Sequence, residues 1–390
     1  MALYDLVFSA GGTKGVAFIG ALEILENGKH QFARLLGSSA GAITATLVAG
    51  GYTAKELLSQ AADEGTEKAI LPTFLKTPPE ELLLDAARRK DSETRRLFRQ
   101  AVERSIDAAL QKLIDSTPRL GVGLKVALGF VKGDLYDSAY EAFLDHKTGL
   151  GMFGPIISFL EFGGFYTTEG FCTWLVERLR QKIKGFNASW TLAKFHQETQ
   201  RDLSVAVADT TSRQSLVLNH RTAPDCPLIQ AVRMSMSIPL VWQEVAWEAG
   251  WGKYLGEVKT GHLMVDGGAM TIMPLRYVLE PDHPEVKRIM GPPPNEKPIP
   301  LALLIDEQLP VPGNIEPPKR DQSRLQERVE RLIDTVLRWE DAYFQKNESV
   351  ICRIPAFGFS ALELNASTER LRVLLDAGRC SMIEHLKKRK

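Results

Sequence analysis

Leu3-Tyr4-Asp5-Leu6-Val7-Phe8-Ser9, then Ala10-Gly11-Gly12-Thr13-Lys14-Gly15, then the run from Val16 to Glu26 is the stretch that decides the fold. The first segment reads as a short buried strand and the glycines as a turn. From Val16 onward the apolar residues recur at helical spacing. The pattern then repeats. Phe32 to Leu36 is a second apolar run, ending in Gly37-Ser38-Ser39-Ala40-Gly41, with a helix expected from about Ala42 to Ala49. Strand, turn and helix in that order, twice, imply parallel strands joined by crossover helices, hence an α/β fold with a mainly parallel sheet.

Working outward, residues from about 54 to 162 break this rhythm with mostly helical patterns and are expected to form a helical insertion. They hold a charged stretch with Arg88, Arg89, Lys90, Arg95, Arg96, Arg99 and Arg104 against Asp91, Glu93 and Glu103. The α/β pattern resumes with a helix near Glu169 to Ile183 and strands at Leu203–Ala208, Ser215–Asn219 and His262–Val265. Between Pro274 and Pro318 lie 12 of the 21 prolines, which predicts extended connection around one strand, Leu301–Ile305. Leu325, Val329, Leu332, Val336 and Trp339 then mark one face of an amphipathic helix. The organisation expected is a main domain over 1–275 carrying the insertion 54–162, with 276–390 packing on the same domain.

Composition narrows the function classes. The 390 residues carry 48 basic and 48 acidic side chains, so no basic excess points to nucleic acid. Cys172, Cys226, Cys352 and Cys380 have neither disulfide-framework nor zinc spacing, which fits a reducing, cytoplasmic setting. The opening MALYDLVFSAGG lacks the basic leader and apolar stretch of a secretory signal. In the most apolar window, Gly149 to Tyr166, Pro155, Glu161 and five glycines argue against a spanning helix and leave an interfacial segment open.

Three segments carry chemistry. Gly37-Ser38-Ser39-Ala40-Gly41 fits a nucleophile elbow, a strand-to-helix turn that pushes the central hydroxyl of Ser39 into the open and needs small neighbours. Alone it is a weak motif that a plain tight turn would also match. In Ala10-Gly11-Gly12-Thr13-Lys14-Gly15, amides at a helix start can hold an anion or a developing oxyanion. Its glycine offsets fit neither Gly-x-Gly-x-x-Gly nor a P-loop, which disfavours a nucleotide enzyme. Met264-Val265-Asp266-Gly267-Gly268 ends a strand in an acid, which is either a turn or helix cap, or a base for a serine hydroxyl.

In this order the three segments resemble the patatin-like phospholipase family, with its glycine-rich loop bearing a basic residue, its Gly-x-Ser-x-Gly and its distant Asp-Gly-Gly. The flanks are similar too: Gly20 to Glu23, Leu47 to Tyr52, Ala208 to Thr211, Ala231 to Pro239, and the stretch from Ile354 to Leu386. Two positions depart from the pattern. Ala10 stands where a third glycine is common, and Ile272-Met273-Pro274 replaces the usual Asn before Pro.

The resemblance implies a three-layer fold and a lipid acyl hydrolase of phospholipase A type acting through a dyad, with Ser39 as nucleophile and Asp266 as general base. It implies an oxyanion hole from Gly11, Gly12 and Thr13, supported by Lys14, Gly15, Gly37, Gly41, Gly267 and Gly268. No metal or other cofactor is called for. The partner implied is a phospholipid membrane surface met peripherally, with a homo-oligomer or an activating protein left open and no nucleic acid. A catalytically silent lipid-binding relative and a neutral glyceride lipase are the alternatives. His262 would lie roughly 13 Å along the strand from Asp266, too far for a triad, and reads as structural. Asp5 sits at a strand start, away from the loop end. Lys14 either serves anionic head groups or the loop, or is a solvated lysine of the first helical turn. The basic run and the apolar run from Phe153 to Phe162 are either a cap over Ser39 that meets lipid, or a solvated helix face and a core helix.

Overall fold

A computed structural model describes residues 1–61, 74, 76–116, 136–145, 150–292, 296–312, 341–360 and 367–389. Its strands are β1 (Leu3–Phe8), β2 (Gln31–Ser38), β3 (Gly164–Tyr166), β4 (Asp202–Asp209), β5 (Gln214–Leu218), β6 (Leu240–Trp242), β7 (Val245–Ala246), β8 (Lys253–Tyr254), β9 (Glu257–Val258), β10 (Leu263–Asp266), β11 (Ile299–Asp306) and β12 (Ile351–Pro355). The helices are α1 (Val16–Asn27), α2 (Ala40–Ala49), α3 (Ala54–Ala61), α4 (Glu80–Arg88), α5 (Glu93–Ser116), α6 (Gly151–Phe162), α7 (Glu169–Lys182), α8 (Leu192–Thr199), α9 (Leu228–Met236), α10 (Arg276–Leu279), α11 (Pro284–Met290), α12 (Asp341–Lys346) and α13 (Thr368–Lys388). They divide into two compact units, Met1–Leu75 with Thr168–Pro239 and Glu244–Lys390, and Lys76–Thr167 with Leu240–Gln243.

The first unit is built on a sheet of order β12-β11-β1-β2-β4-β10-β7, with β5 also on β4. The run from β12 to β4 is parallel, and β10, β7 and β5 join antiparallel. Parallel strands are covered on both faces, so they read as continuous apolar runs rather than alternating ones. Val7, Leu36, Ala302 and Leu304 face a cluster with Tyr277, Val286, Ile289 and Phe344. On the other face Phe8 meets Phe18 of α1 edge-on, ring centres 5.4 Å apart. The expected α/β fold with a mainly parallel central sheet flanked by helices is what forms.

Helix α13 lies against α1 because each has a glycine at the contact. A Cβ on Gly20 would collide with the Leu375 carbonyl, and one on Gly378 with the Ala17 carbonyl. Arg379 and Glu23 lock the crossing with a 2.6 Å ion pair. Since backbone cannot yield as a side-chain tip can, Gly378→Val should cost about 3 kcal/mol, at the upper end of overpacking losses. Urea unfolding checks this; a loss under half that size would mean the helices can part cheaply.

The proline-dense region differs from expectation in one respect: α10 and α11 lie inside it. Pro284 opens α11 at a position where its missing N–H is not needed, so proline starts this helix instead of breaking it. The helix expected over Leu325 to Trp339 lies outside the described residues.

The second unit has its own core of Leu83, Ala87, Tyr136, Tyr140, Leu144, Leu150 and Ile157, with Phe98, Phe143, Phe153 and Phe162 packed on it. The basic run is largely engaged. Arg88 pairs with Glu141 at 2.8 Å, Arg95 with Asp137 at 2.7 Å and Arg96 with Glu93 at 2.6 Å, while Arg99 lies over the Tyr136 ring. In the apolar run, Ile157 is buried and Ile156 is 48% exposed. Among the described residues no helix is long and apolar enough to cross a membrane.

Candidate active site

Strand β4 acts as a ruler on which two distant segments are registered. Along one edge of β4, Ser38 of β2 pairs with Ala206. The next position, Val207, pairs with Asp266 of β10, which runs the opposite way. Two strand ends thus meet head to head, bringing Ser39 to Asp266 across 227 residues of sequence. The Ser39 Oγ donates to Asp266 Oδ2 at 2.5 Å.

The turn that presents Ser39 is strained. Its backbone lies at φ 53°, ψ −123°, a region that glycine accepts and other residues enter only at a cost. Close packing explains the small flanks. A Cβ on Gly37 would strike the Gly41 carbonyl, and one on Gly41 the carbonyls of Phe8 and Ser9. The Ser39 amide donates to Ser235 Oγ at 3.0 Å, and that hydroxyl donates to the Ala206 carbonyl at 2.6 Å. Ser235 on α9 therefore ties the elbow to β4.

Asp266 is fully buried. Burial drives its carboxyl from 3.8 up to about 7, against the Ser39 hydrogen bond and the Gly268 amide, which both favour the ionised form. The Gly268 amide reaches Oδ1 at 2.7 Å, so Asp266 caps the short turn Gly267–Ala269 while its other oxygen faces Ser39. The cap occupies one carboxylate oxygen and leaves the other, bonded to Ser39, to the second reading of Asp-Gly-Gly. Gly267 packs on the Ala206 carbonyl and Ser38 with no room for a side chain.

The first glycine loop forms a 3₁₀ turn over Gly12–Gly15 at the end of β1. The opening amides of such a turn, here those of Gly12 and Thr13, have no acceptor within it. Gly12 sits at φ +55°. A Cβ on Gly11 would collide with the Ile305 side chain, and one on Gly15 would lie 3.1 Å from Cβ of Ala40, the residue after Ser39. The loop is thus packed against the elbow. The two departures from the family pattern are linked: the Ala10 amide donates to the Ile272 carbonyl at 2.7 Å, and both side chains enter one apolar cluster.

Lys14 is 1% exposed and bonded to the Glu307 carboxylate just after β11, so it is not the solvated lysine of the plainer reading. Thr13 Oγ1 donates to the Ser360 carbonyl at 2.9 Å. The loop is therefore held at both residues by segments following β11 and β12. Glu307→Gln should cost about 3 kcal/mol, because it leaves a lysine charge buried without its partner. Lys14→Met combined with Glu307→Leu should recover most of that loss in a urea double-mutant cycle. A single-mutant cost near zero would show that the pair does not hold the loop.

His262 is bonded to Asp209 rather than to Asp266. Its Nδ1 is 2.8 Å from Asp209 Oδ2, and Asp209 also takes the Ser212 hydroxyl at 2.5 Å. Asp5 lies at the opposite end of β1, 3.9 Å from Arg34, and burial raises its carboxyl to about 6 despite that cation. Ser235, Glu307, Ser360 and the Ile272 carbonyl were invisible as site residues in the sequence, since each acts through a tertiary contact that no local motif records.

The family model described as patatin-like phospholipase matches residues 6–279, from β1 through α10. A protein of Bacillus subtilis named uncharacterized protein YqhO is 47% identical over 66 residues, which are 17% of this chain and 23% of that one. Among solved structures, VipD from Legionella pneumophila aligns over 99% of this chain and 67% of its own, with 15% identity and a TM-score of 0.47. The type III effector ExoU of Pseudomonas aeruginosa aligns over 99% of this chain, with 19% identity and a TM-score of 0.39. The chain spans about half, 53%, of the ExoU chain.

Proposed function

We propose a function from one premise: the chain belongs to the patatin-like phospholipase family. The function is hydrolysis of fatty-acyl esters of membrane phospholipids, a phospholipase A type reaction. The observation that carries it is the 2.5 Å bond from Ser39 Oγ to a buried Asp266 in a strained elbow. Asp266 Oδ2 takes the Ser39 proton as Oγ attacks the ester carbonyl. The amides of the Gly11–Thr13 segment receive the developing negative charge, which fixed donors stabilise better than water does. The leaving alcohol takes the proton from Asp266, and an acyl ester remains on Ser39. Water, deprotonated by Asp266, then attacks that ester, and the fatty acid leaves as Ser39 recovers its proton.

A base for this cycle must be ionised near neutral pH yet basic enough to take a hydroxyl proton, and a carboxyl raised to about 7 meets both needs. The Asp209 contact of His262 supports a dyad rather than a triad. Neither Ser39 nor Asp266 needs a metal for these steps. The substrate is reached peripherally, at a membrane surface.

Fatty-acid release from phosphatidylcholine vesicles, combined with labelling by a fluorophosphonate probe, tests the reading. Release with labelling confined to Ser39 is expected. Labelling without release from phospholipid but with release from triacylglycerol would move the substrate to neutral glycerides. Neither labelling nor release would leave a silent lipid-binding relative.

A further inference from the structure

Away from the elbow, between edge strand β12 and the last turns of α13, lies a cavity of about 590 Å³. That size is typical of small-molecule sites. From α13 it is lined by Ser381, Glu384, His385 and Lys388, spaced to share one helix face, and by Arg389 at the helix end. Ile351, Leu309 and Pro355 supply an apolar wall opposite.

The charges within it are unevenly satisfied. On the strand side Arg353 is matched by Glu348 at 2.8 Å and Asp306 at 2.7 Å, so those carboxylates are already committed. Glu384 also lines the cavity, and its charge adds to burial in raising the Cys352 thiol to about 12. Arg389 uses Nε on the Ser349 carbonyl at 3.2 Å and Nη2 on the Pro300 carbonyl at 3.0 Å. Among the described residues its Nη1 is buried without a hydrogen-bond partner, and so is Nε2 of His385. Such orphaned polar atoms are costly, and both belong to residues that line this cavity. His385 is held down to about 4, first by burial and then by the positive charges of Arg389 and Lys388.

We propose that this cavity binds the phosphate group of a small phosphorylated molecule, with Arg389, Lys388 and His385 as its donors. A phosphate offers several acceptor oxygens and close to two negative charges, enough to engage Lys388 and Arg389, which make no ion pair among the described residues although Glu384 lines the same cavity. The volume beyond the phosphate, against Leu309, Ile351 and Pro355, leaves space for the remainder of the ligand. The assignment is independent of the hydrolase reading, because none of these residues touches Ser39 or Asp266 in the site described above.

The test uses the full chain. Calorimetry with inorganic phosphate and with glycerol 3-phosphate, at fixed ionic strength, is run beside binding to phosphatidylcholine vesicles with and without phosphatidic acid. The His385 ring is followed by NMR. Binding is expected to move the His385 titration up toward the ordinary histidine range. Lys388→Gln and Arg389→Gln should each weaken binding about tenfold, the equivalent of one charge-assisted hydrogen bond, while Lys387→Gln, whose side chain does not line the cavity, should not. Response to the soluble phosphates identifies a free metabolite as the source, and response to phosphatidic acid vesicles alone identifies a lipid head group; either supports the phosphate site. Absence of binding to both, or binding that Lys388→Gln leaves intact, overturns it. Lys388 is exposed, so that variant keeps the test valid even if Arg389→Gln unfolds.

Discussion

Ser39→Ala should lower ester hydrolysis by about 10⁴-fold or more, the scale of loss when an enzyme's nucleophile is removed, and should abolish fluorophosphonate labelling. Its effect on stability is opposed in sign by two features. The hydroxyl's bond to Asp266 is lost, yet that bond is one of the two that favour an ionised, buried carboxylate, so its removal lets Asp266 protonate more readily. The strained backbone at φ 53° remains in alanine but is relieved in glycine. Ser39→Gly should therefore be equally inactive and more stable than Ser39→Ala by about 1 kcal/mol or more. Denaturation of the two variants side by side reads this directly. Equal stability would mean the elbow carries no strain, and residual hydrolysis near that of the unmodified protein would remove Ser39 from the nucleophile role.

The local half of this site was readable from residues alone, and the long-range half was not. Strand, glycine turn and helix are short-range patterns, so β1 to α1 and β2 to α2 were placed to within about two residues. Ser39 and Asp266 could be named because three short glycine-bearing segments, each ambiguous alone, resemble the family's segments in their order; close packing is what keeps their neighbours small. What brings the two together is the register on β4, where Ala206 takes Ser38 and Val207 takes Asp266. Neither alanine nor valine advertises that task. The loop anchors escape for the same reason: Lys14 is visible beside the glycines, but Glu307 lies 293 residues away in sequence, and Ser360 and Ile272 contribute carbonyl oxygens that any residue would offer. Pro284 misleads in the other direction, since proline's meaning depends on whether it falls inside a helix or at its first turn.

Asp266→Asn should separate activity from stability, with opposite signs. As base, Asp266 must be ionised, so kcat/KM should fall about tenfold per pH unit below its value of about 7, reaching roughly a hundredfold loss at pH 5, and level off above. Asparagine keeps the shape but cannot take the proton, so activity should drop nearly as far as in Ser39→Ala and the limb near pH 7 should vanish. His262→Ala, whose contact is Asp209, should keep the limb and most of the rate. Stability runs the other way. The folded carboxyl is raised from 3.8 to about 7, so the folded state binds this proton more tightly than the unfolded chain does. The stabilisation from that proton is fully present below pH 4 and is lost as pH rises through about 7, a difference on the order of 4 kcal/mol. Asparagine stays neutral throughout. Its advantage over the unmodified protein should be absent near pH 4, grow across the interval to pH 7 and hold constant above. Urea midpoints at pH 4, 6 and 8, measured beside fatty-acid release on the same samples, follow both trends at once. A variant that is inactive but loses stability at pH 8 would mean that the carboxylate is held ionised by the fold. The role of base would then need a different group, because a carboxylate stabilised in that way is too weak to take a serine proton.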